Sequence, residues 1–306
     1  MQNFNPISAA DILAWDPGPV PWLWDKFIPR GSLFLLAGFT KVGKSTITYP
    51  LAVSISQGRP FLGFDTVKSG VLILAVEEQW RDVQARLKRF NMRADDLLSV
   101  HCGLLKNDPQ TLELIKNYIL HQQISLTLVD TLSMFWSVRD ENDNAQVIQQ
   151  AKPLLDLARS TQCAIGLVTH TSKGGGDQGR SIRGASSLLG IVDQALILEM
   201  RQGGGKNQRI LKTLGRYSET PPELLIELKG DQWRCLGTGA EAYQEDQLEH
   251  LIGCLTKQPQ PVTWIVKASE LSEKQVRNSL GLLMERGEIL KSGSGRKGNP
   301  YLFQLK

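Results

Sequence analysis

Thiols and imidazoles are scarce in this sequence: four cysteines and four histidines in 306 residues. Cys102, Cys163, Cys235 and Cys254 form no C-x-x-C pair, and the histidines give no metal-ligand spacing. Neither a disulfide scaffold nor a zinc site is expected. Cys163 stands in an apolar run and reads as a small core residue. Long apolar runs are missing as well. The longest, 71–76 and 195–198, are far too short to cross a bilayer, so no membrane partner is expected. Asp11 and Asp16 stand where a signal peptide would carry basic residues, which makes a reducing cytoplasm the expected location. A net charge of +4 is too small to point to a polyanion by itself.

What is present is ordinary for a globular chain, with 41% hydrophobic and 22% charged residues. The length suits one domain of roughly 200–240 residues and a small one, with a core large enough to need no staple. Proline is concentrated near the start, where Pro17, Pro19, Pro21 and Pro29 interleave with Trp15, Trp22 and Trp24. Such spacing forbids a regular helix and predicts an arm packed in extended form over 1–30. Apolar strands over 32–37, 71–76, 126–130 and 164–169 then alternate with helical stretches over 44–57, 81–90, 111–121 and 144–160. A short strand is expected at 99–102. This alternation predicts a parallel sheet covered by helices on both faces. Short strands over 195–200, 209–213, 224–228 and 233–236 read as antiparallel additions to one sheet edge.

Gly38-Phe39-Thr40-Lys41-Val42-Gly43-Lys44-Ser45 fits G-x-x-x-x-G-K-[ST] between an apolar strand and a helical stretch. The glycines let the backbone curl until successive N–H groups face the phosphates, and the next helix aims its N-terminus at them. Lys44 would meet the β- and γ-phosphates, and the Ser45 hydroxyl would ligate Mg²⁺. Gly38, Thr40, Lys41, Val42, Gly43, Lys44, Ser45 and Thr46 are thus the expected ATP-binding residues. Pro50 removes one hydrogen bond from the following helix, at a cost of about 3 kcal/mol, and predicts a kink there. Asp130 ends its strand at the sheet edge where ligands bind and is the expected second Mg²⁺ ligand. Glu77 and Glu78 end another strand on that edge. One of them would accept a proton from the attacking water, or both merely favour the next helix N-terminus.

These pieces also carry a resemblance. Ile28-Pro29-Arg30-Gly31 leading into Leu35-Leu36-Ala37-Gly38, followed by Lys41-Val42-Gly43-Lys44-Ser45-Thr46, resembles the RepA-like hexameric replicative helicases. The likeness continues through Val76-Glu77-Glu78, Leu128-Val129-Asp130-Thr131, His170-Thr171-Ser172-Lys173 and Ser181-Ile182-Arg183-Gly184-Ala185-Ser186-Ser187, covering about residues 7–230. It implies an α/β fold: a RecA-like P-loop NTPase core with a mostly parallel sheet and antiparallel edge strands. It further implies ATP and Mg²⁺ as cofactors, assembly into a homo-oligomeric hexameric ring, and single-stranded DNA as partner. By the same likeness Glu77 becomes the catalytic base and His170 the sensor of the γ-phosphate. Lys173, Arg180 and Arg183 become contacts to strand phosphates, against the alternative of a merely solvated loop. Arg216 sits where the resemblance places an arginine that acts on the neighbouring subunit's nucleotide, with Arg209 and Lys212 as competitors. Pro50 and Ala185 depart from the family pattern away from this chemistry.

Residues 237–240 read as a linker separating an ATPase domain over 31–237 from a small domain over 241–306. Helices over 247–257, 263–267 and 273–286 precede two strands at 288–290 and 301–304, the plan of a winged helix-turn-helix. Ser272 is its expected helix cap and Gly287 the left-handed stop. Lys291, Arg296 and Lys297 on the wing would contact duplex DNA phosphates, or the module docks protein. Two functions therefore stand side by side. One is an ATP-driven helicase or translocase on single strands. The other is an ATP-switched DNA-binding regulator or recombination mediator without motor activity, which the extra C-terminal module favours. A small-molecule kinase is disfavoured, since no acceptor-binding insertion is evident.

Overall fold

The computed structural model describes residues 6–93, 95–140, 143–171, 185–201, 205–296 and 298–306. Near the start, Ser8 accepts the Asp11 N–H and caps a short helix, α1 (Ala9–Ala14), none of whose residues is buried. This helix corrects the expectation of a wholly extended arm. It lies before the cluster of prolines, which do keep the chain out of helix from Pro17 onward. There β1 (Trp22–Trp24) pairs antiparallel with β2 (Ile28–Pro29). The Trp24 ring stacks on Phe27 at 4.2 Å, and its N–H donates to the Phe61 carbonyl at 3.1 Å.

Strands and helices then alternate as β3 (Leu33–Gly38), α2 (Lys44–Gln57), β4 (Gly70–Ala75), α3 (Trp80–Leu87), β5 (Leu98–Cys102), α4 (Pro109–His121) and β6 (Ile124–Asp130). A four-residue turn of helix, α5 (Leu132–Phe135), leads to α6 (Asn144–Thr161), β7 (Ala164–His170), α7 (Ala185–Ile191) and β8 (Gln194–Met200). Three more strands follow: β9 (Gln208–Gly215), β10 (Glu223–Lys229) and β11 (Gln232–Thr238). All nine from β3 onward join one sheet in the order β11-β10-β9-β8-β3-β7-β6-β4-β5. Residues on β3, β4, β6 and β7 are buried almost without interruption, as a sheet covered on both faces requires. On one face Ile115 and Ile119 of α4 and Val147, Ala151 and Leu154 of α6 pack in the core that includes Leu33, Leu35, Leu72 and Leu74. Cys163 is fully buried there, and burial pushes its thiol up to about 12.

One strand direction differs from the sequence reading. β8 runs parallel to β3, from Phe34↔Gln194 to Gly38↔Leu198, and the antiparallel edge begins only at β9. The chain leaves β7 at one end of the sheet and re-enters by way of α7, a crossover that returns it in the same direction. Register then fixes the site. Gly38 stands beside His170, and Asp130 beside Ala75, so the ends of β3, β7, β6 and β4 share one sheet edge.

The chain divides into two compact units. The first runs to Pro222 and includes Glu227–Arg234; the second comprises Glu223–Ile226 and Cys235–Lys306. Residues expected to be a linker instead complete β11 and open a helix, α8 (Gly239–Cys254). Thr238 and Glu241 cap it reciprocally, each side chain bonding the other's backbone N–H. In the second unit come β12 (Gln260–Pro261), α9 (Val262–Ser269), α10 (Glu273–Glu285), β13 (Ile289–Ser292) and β14 (Leu302–Leu305). Ser272 and Gln275 form the same capping box on α10, and Gly287 takes φ 72° beyond its end. The strands order as β12-β14-β13, both pairings antiparallel. Leu248, Leu251, Ile265, Val276, Leu283 and Phe303 form the core of this unit.

Candidate active site at the strand tips

The turn between β3 and α2 closes around two glycines. A Cβ on Gly38 would lie 2.8 Å from both the Leu198 carbonyl oxygen and Val42 Cγ1, too close for any side chain. Gly43 takes φ 110° as the residue before α2, a conformation that L side chains rarely adopt. Lys41 also lies in the left-handed region, at φ 64°. The resulting curl places the N-terminus of α2 at the carboxyl edge of the sheet. α2 continues through Pro50 as one helix from Lys44 to Gln57.

Lys44 is the first residue of that helix, and only 6% of it is exposed. Its ammonium donates to the carbonyls of Gly38 at 2.9 Å and Phe39 at 3.2 Å, and lies 3.0 Å from His170 Nδ1. Thr40 Oγ1 stands 3.5 Å from the same ring nitrogen. Burial lowers the Lys44 pKa, and the charges of Asp130 and Glu77 pull it back up. Asp130 is 4% exposed, at the last position of β6. Burial raises its carboxyl pKa to about 6; the Ser45 hydroxyl bond works against that rise, and Glu78 and Glu77 add to it. Its second oxygen, Oδ2, is buried with no hydrogen-bond partner.

An orphaned carboxylate oxygen beside a serine hydroxyl and a buried lysine fits a phosphate-bound Mg²⁺. Ser45 and Asp130 would hold the cation, and Lys44 and the loop amides the phosphates. Among the described residues no group of three or more His, Cys, Asp or Glu side chains is placed to hold a metal alone. Mg²⁺ commonly sits with one or two protein oxygens and substrate phosphates, so the small donor set suits it. A cavity of about 350 Å³ opens beside Ser45 and Thr46, walled by Asp82, Arg86, Arg89, Phe90 and Asp231.

The adjacent glutamates are used differently. Glu78 pairs with Arg86 at 3.3 Å and accepts the Tyr49 hydroxyl at 3.4 Å, while the Arg86 guanidinium lies 4.6 Å from the Tyr49 ring centre. Glu77 is exposed, and Thr131 donates its hydroxyl to Glu77 Oε1. Ser133 in turn lies 3.0 Å from the Thr131 hydroxyl. The sequence reading did not single out Thr131, though its place directly after Asp130 is a signal for it.

The three candidate cations on and just beyond β9 separate as well. Arg216 follows the end of β9 that pairs with Gln194, next to the start of β3. That is about 13 Å along the strands from Gly38, so Arg216 is not brought to its own chain's phosphate loop. Its guanidinium lies 3.8 Å from Asp193, which also faces Arg159 at 4.0 Å. Lys212 pairs with Glu199 at 2.8 Å. Arg209 reaches the loop itself, donating from Nε to the Val42 carbonyl at 2.8 Å. Lys173, Arg180, Arg183 and Lys297 lie outside the described residues. In the second unit Lys291 sits 3.5 Å from the ring centre of Tyr301, and Arg296 bridges Asn299 through the backbone.

The fold and the loop geometry define a P-loop ATPase with a RecA-like core. A family model described as AAA domain (AAA_25) matches residues 2–176, more than half of the chain. The chain belongs to that family, whose chemistry is ATP hydrolysis. Among solved structures, a KaiC-like protein from the hyperthermophilic archaeon Pyrococcus horikoshii OT3 aligns at 15% identity with a TM-score of 0.50, covering 70% of this chain and 93% of the other. At that identity the likeness concerns the fold. No curated protein sequence matches the chain. Among the described residues no helix is long and apolar enough to cross a membrane.

Proposed function

We propose that this chain is an ATP-driven motor of the RepA-like helicase kind, hydrolysing Mg²⁺-ATP at the strand tips and translocating on single-stranded DNA as a homo-oligomeric ring. The observation that carries the hydrolytic part is the division of labour between the two glutamates. Glu78 is engaged by Arg86 and Tyr49, whereas Glu77 stands exposed with its carboxylate oriented by Thr131. Glu77 then takes the proton of the attacking water. Lys44 leaves the carbonyls of Gly38 and Phe39 for the phosphates, and His170, which lies against its ammonium, responds to that exchange. Bound Mg²⁺ would neutralise charge on the β- and γ-phosphate oxygens. Arg216 is the candidate to reach a neighbouring subunit's nucleotide, supported by its exposure and its place away from its own loop. The strand-binding part rests on Lys173, Arg180 and Arg183 in the sequence after His170 and on the family resemblance.

A second reading draws on the C-terminal unit. Two helices separated by three residues, followed by a hairpin that carries Lys291 and Arg296, suit a winged helix-turn-helix, and Lys297 follows Arg296 in the sequence. Such a module would read duplex DNA in an ATP-switched regulator or recombination mediator. ATP turnover measured with and without single-stranded DNA, beside native mass, separates the two. The motor predicts a hexamer stimulated several-fold by single strands. A monomer indifferent to them sinks that reading and leaves the regulator.

A further inference from the structure

Pro50 leaves a specific vacancy in α2. In a helix each carbonyl accepts from the N–H four residues on, and proline has none to give. The carbonyl left without its helical donor is therefore that of Thr46, one residue beyond Ser45. That oxygen is not orphaned: the indole N–H of Trp233, on β11, donates to it at 3.0 Å. The Trp233 ring is buried and also flanks the loop, since a Cβ on Gly43 would lie 3.6 Å from its Cζ2. Arg209 makes a parallel contact from β9, on the Val42 carbonyl. Two donors from the edge strands thus bond two carbonyls of one short segment, Val42 and Thr46. Thr46 lies in the first turn of α2, where carbonyls point opposite to the amides, so the indole's grip lies behind the surface that would face phosphate.

We propose that Trp233 is a positioning residue for the phosphate loop. Its indole replaces the backbone donor that Pro50 lacks, and it fixes the first turn of α2 in the orientation that binds nucleotide. This rests on the reading of the loop as an ATP site. The pairing has a simple logic. Without the proline, residue 50 would bond Thr46 and the indole would be redundant; without the indole, the proline would leave a part-buried carbonyl without a protein donor.

The test is a cycle of three variants of the full chain, Trp233→Phe, Pro50→Ala and the double change, titrated with Mg²⁺-ATP by calorimetry and followed by steady-state hydrolysis. Trp233→Phe keeps an aromatic ring at this position but removes the N–H together with part of the indole's bulk, and the loss of bulk is common to both backgrounds. It should weaken ATP binding and raise KM by about tenfold, with kcat within about twofold of wild type. Pro50→Ala supplies a backbone N–H to Thr46, so it should bind ATP like wild type, and in its background Trp233→Phe should cost less than about twofold. Equal losses in both backgrounds, or no loss from Trp233→Phe alone, would overturn the proposal. Wild-type protein that takes up no Mg²⁺-ATP would sink the nucleotide reading together with it. If Trp233→Phe does not fold, recovery of folding in the double variant supports the shared carbonyl, and failure of both refutes it.

Discussion

Lys44 and Asp130 in the first unit are 6% and 4% exposed, whereas the ion-paired side chains of Arg277, Glu273, Arg286 and Glu245 in the second are between 45% and 62% exposed. The same kinds of charge therefore do different things. At the strand tips the low dielectric shifts ionisation, leaves Asp130 Oδ2 without a partner and turns Lys44 back onto the loop carbonyls. Such uncompensated buried groups are what a site for a polyvalent anion and its cation would hold. In the second unit the charges stay in water, and the apolar cluster around Val276 and Leu283 supplies the stability. The two most buried charges of the first unit meet at the strand tips, and the ion pairs of the second unit stay at the surface.

The sharpest way to break that contrast is to remove a buried charge. Lys44→Ala should abolish both ATP binding and turnover, which isothermal titration and phosphate release would report. Glu77→Gln should separate them, with ATP held near wild-type affinity and turnover lower by roughly 10²–10⁴. Retained turnover in Glu77→Gln would transfer the base to Glu78 and require the Arg86 pair to open.

Asp130 offers a smaller and opposite effect. Its folded pKa of about 6 lies above the ordinary carboxylate value of 3.8, so the folded state binds the proton more tightly than the unfolded chain. Its penalty is absent below pH ~4, grows as pH rises through 6, and is full above, at roughly 3 kcal/mol for a shift of that size. Asp130→Asn should therefore raise the unfolding free energy of the nucleotide-free protein at pH ~8 by roughly 2 kcal/mol and flatten its slope between pH ~4 and ~7. The same variant should lose the Mg²⁺ dependence of ATP binding. A melting curve at pH 8 that falls instead would mean that Asp130 is already stabilised by its neighbours, and the contrast would weaken.

The phosphate loop was readable because its chemistry dictates residue types at fixed local spacing, and Asp130 because it ends an apolar run. The direction of β8 was not, since the run Ala195-Leu196-Ile197-Leu198 is equally apolar whether its neighbour runs parallel or antiparallel. Only the path through α7 decides it. Arg209 and Trp233 meet the loop across separations of 167 and 187 residues, and nothing local to either announces a partner so distant. The start of α8 was legible and overlooked. Thr238 followed by Glu241 is a reciprocal cap, but three small residues beside it resemble a linker. Pro50 follows the local rule, since proline has no N–H to give the Thr46 carbonyl, and what the sequence did not show is the substitute donor on β11.

The smallest effect belongs to the surface pairs. Arg286 bonds both oxygens of Glu245, at 2.8 and 2.7 Å, and Arg277 reaches Glu273 one turn earlier on α10. The geometry of the first is good, yet each guanidinium is about half exposed, so water and salt screen the attraction and two long side chains lose freedom in making it. Arg277→Ala and Arg286→Ala should each melt within about 2 °C of wild type, and the difference should shrink further in high salt. Val276→Ala, in the same helix, removes two methyl groups from a fully buried site and should lower the melting temperature by several times more. An Arg286→Ala loss as large as that of Val276→Ala would show that this pair is held far from water in solution, and that surface charge in the second unit does structural work the exposed geometry conceals.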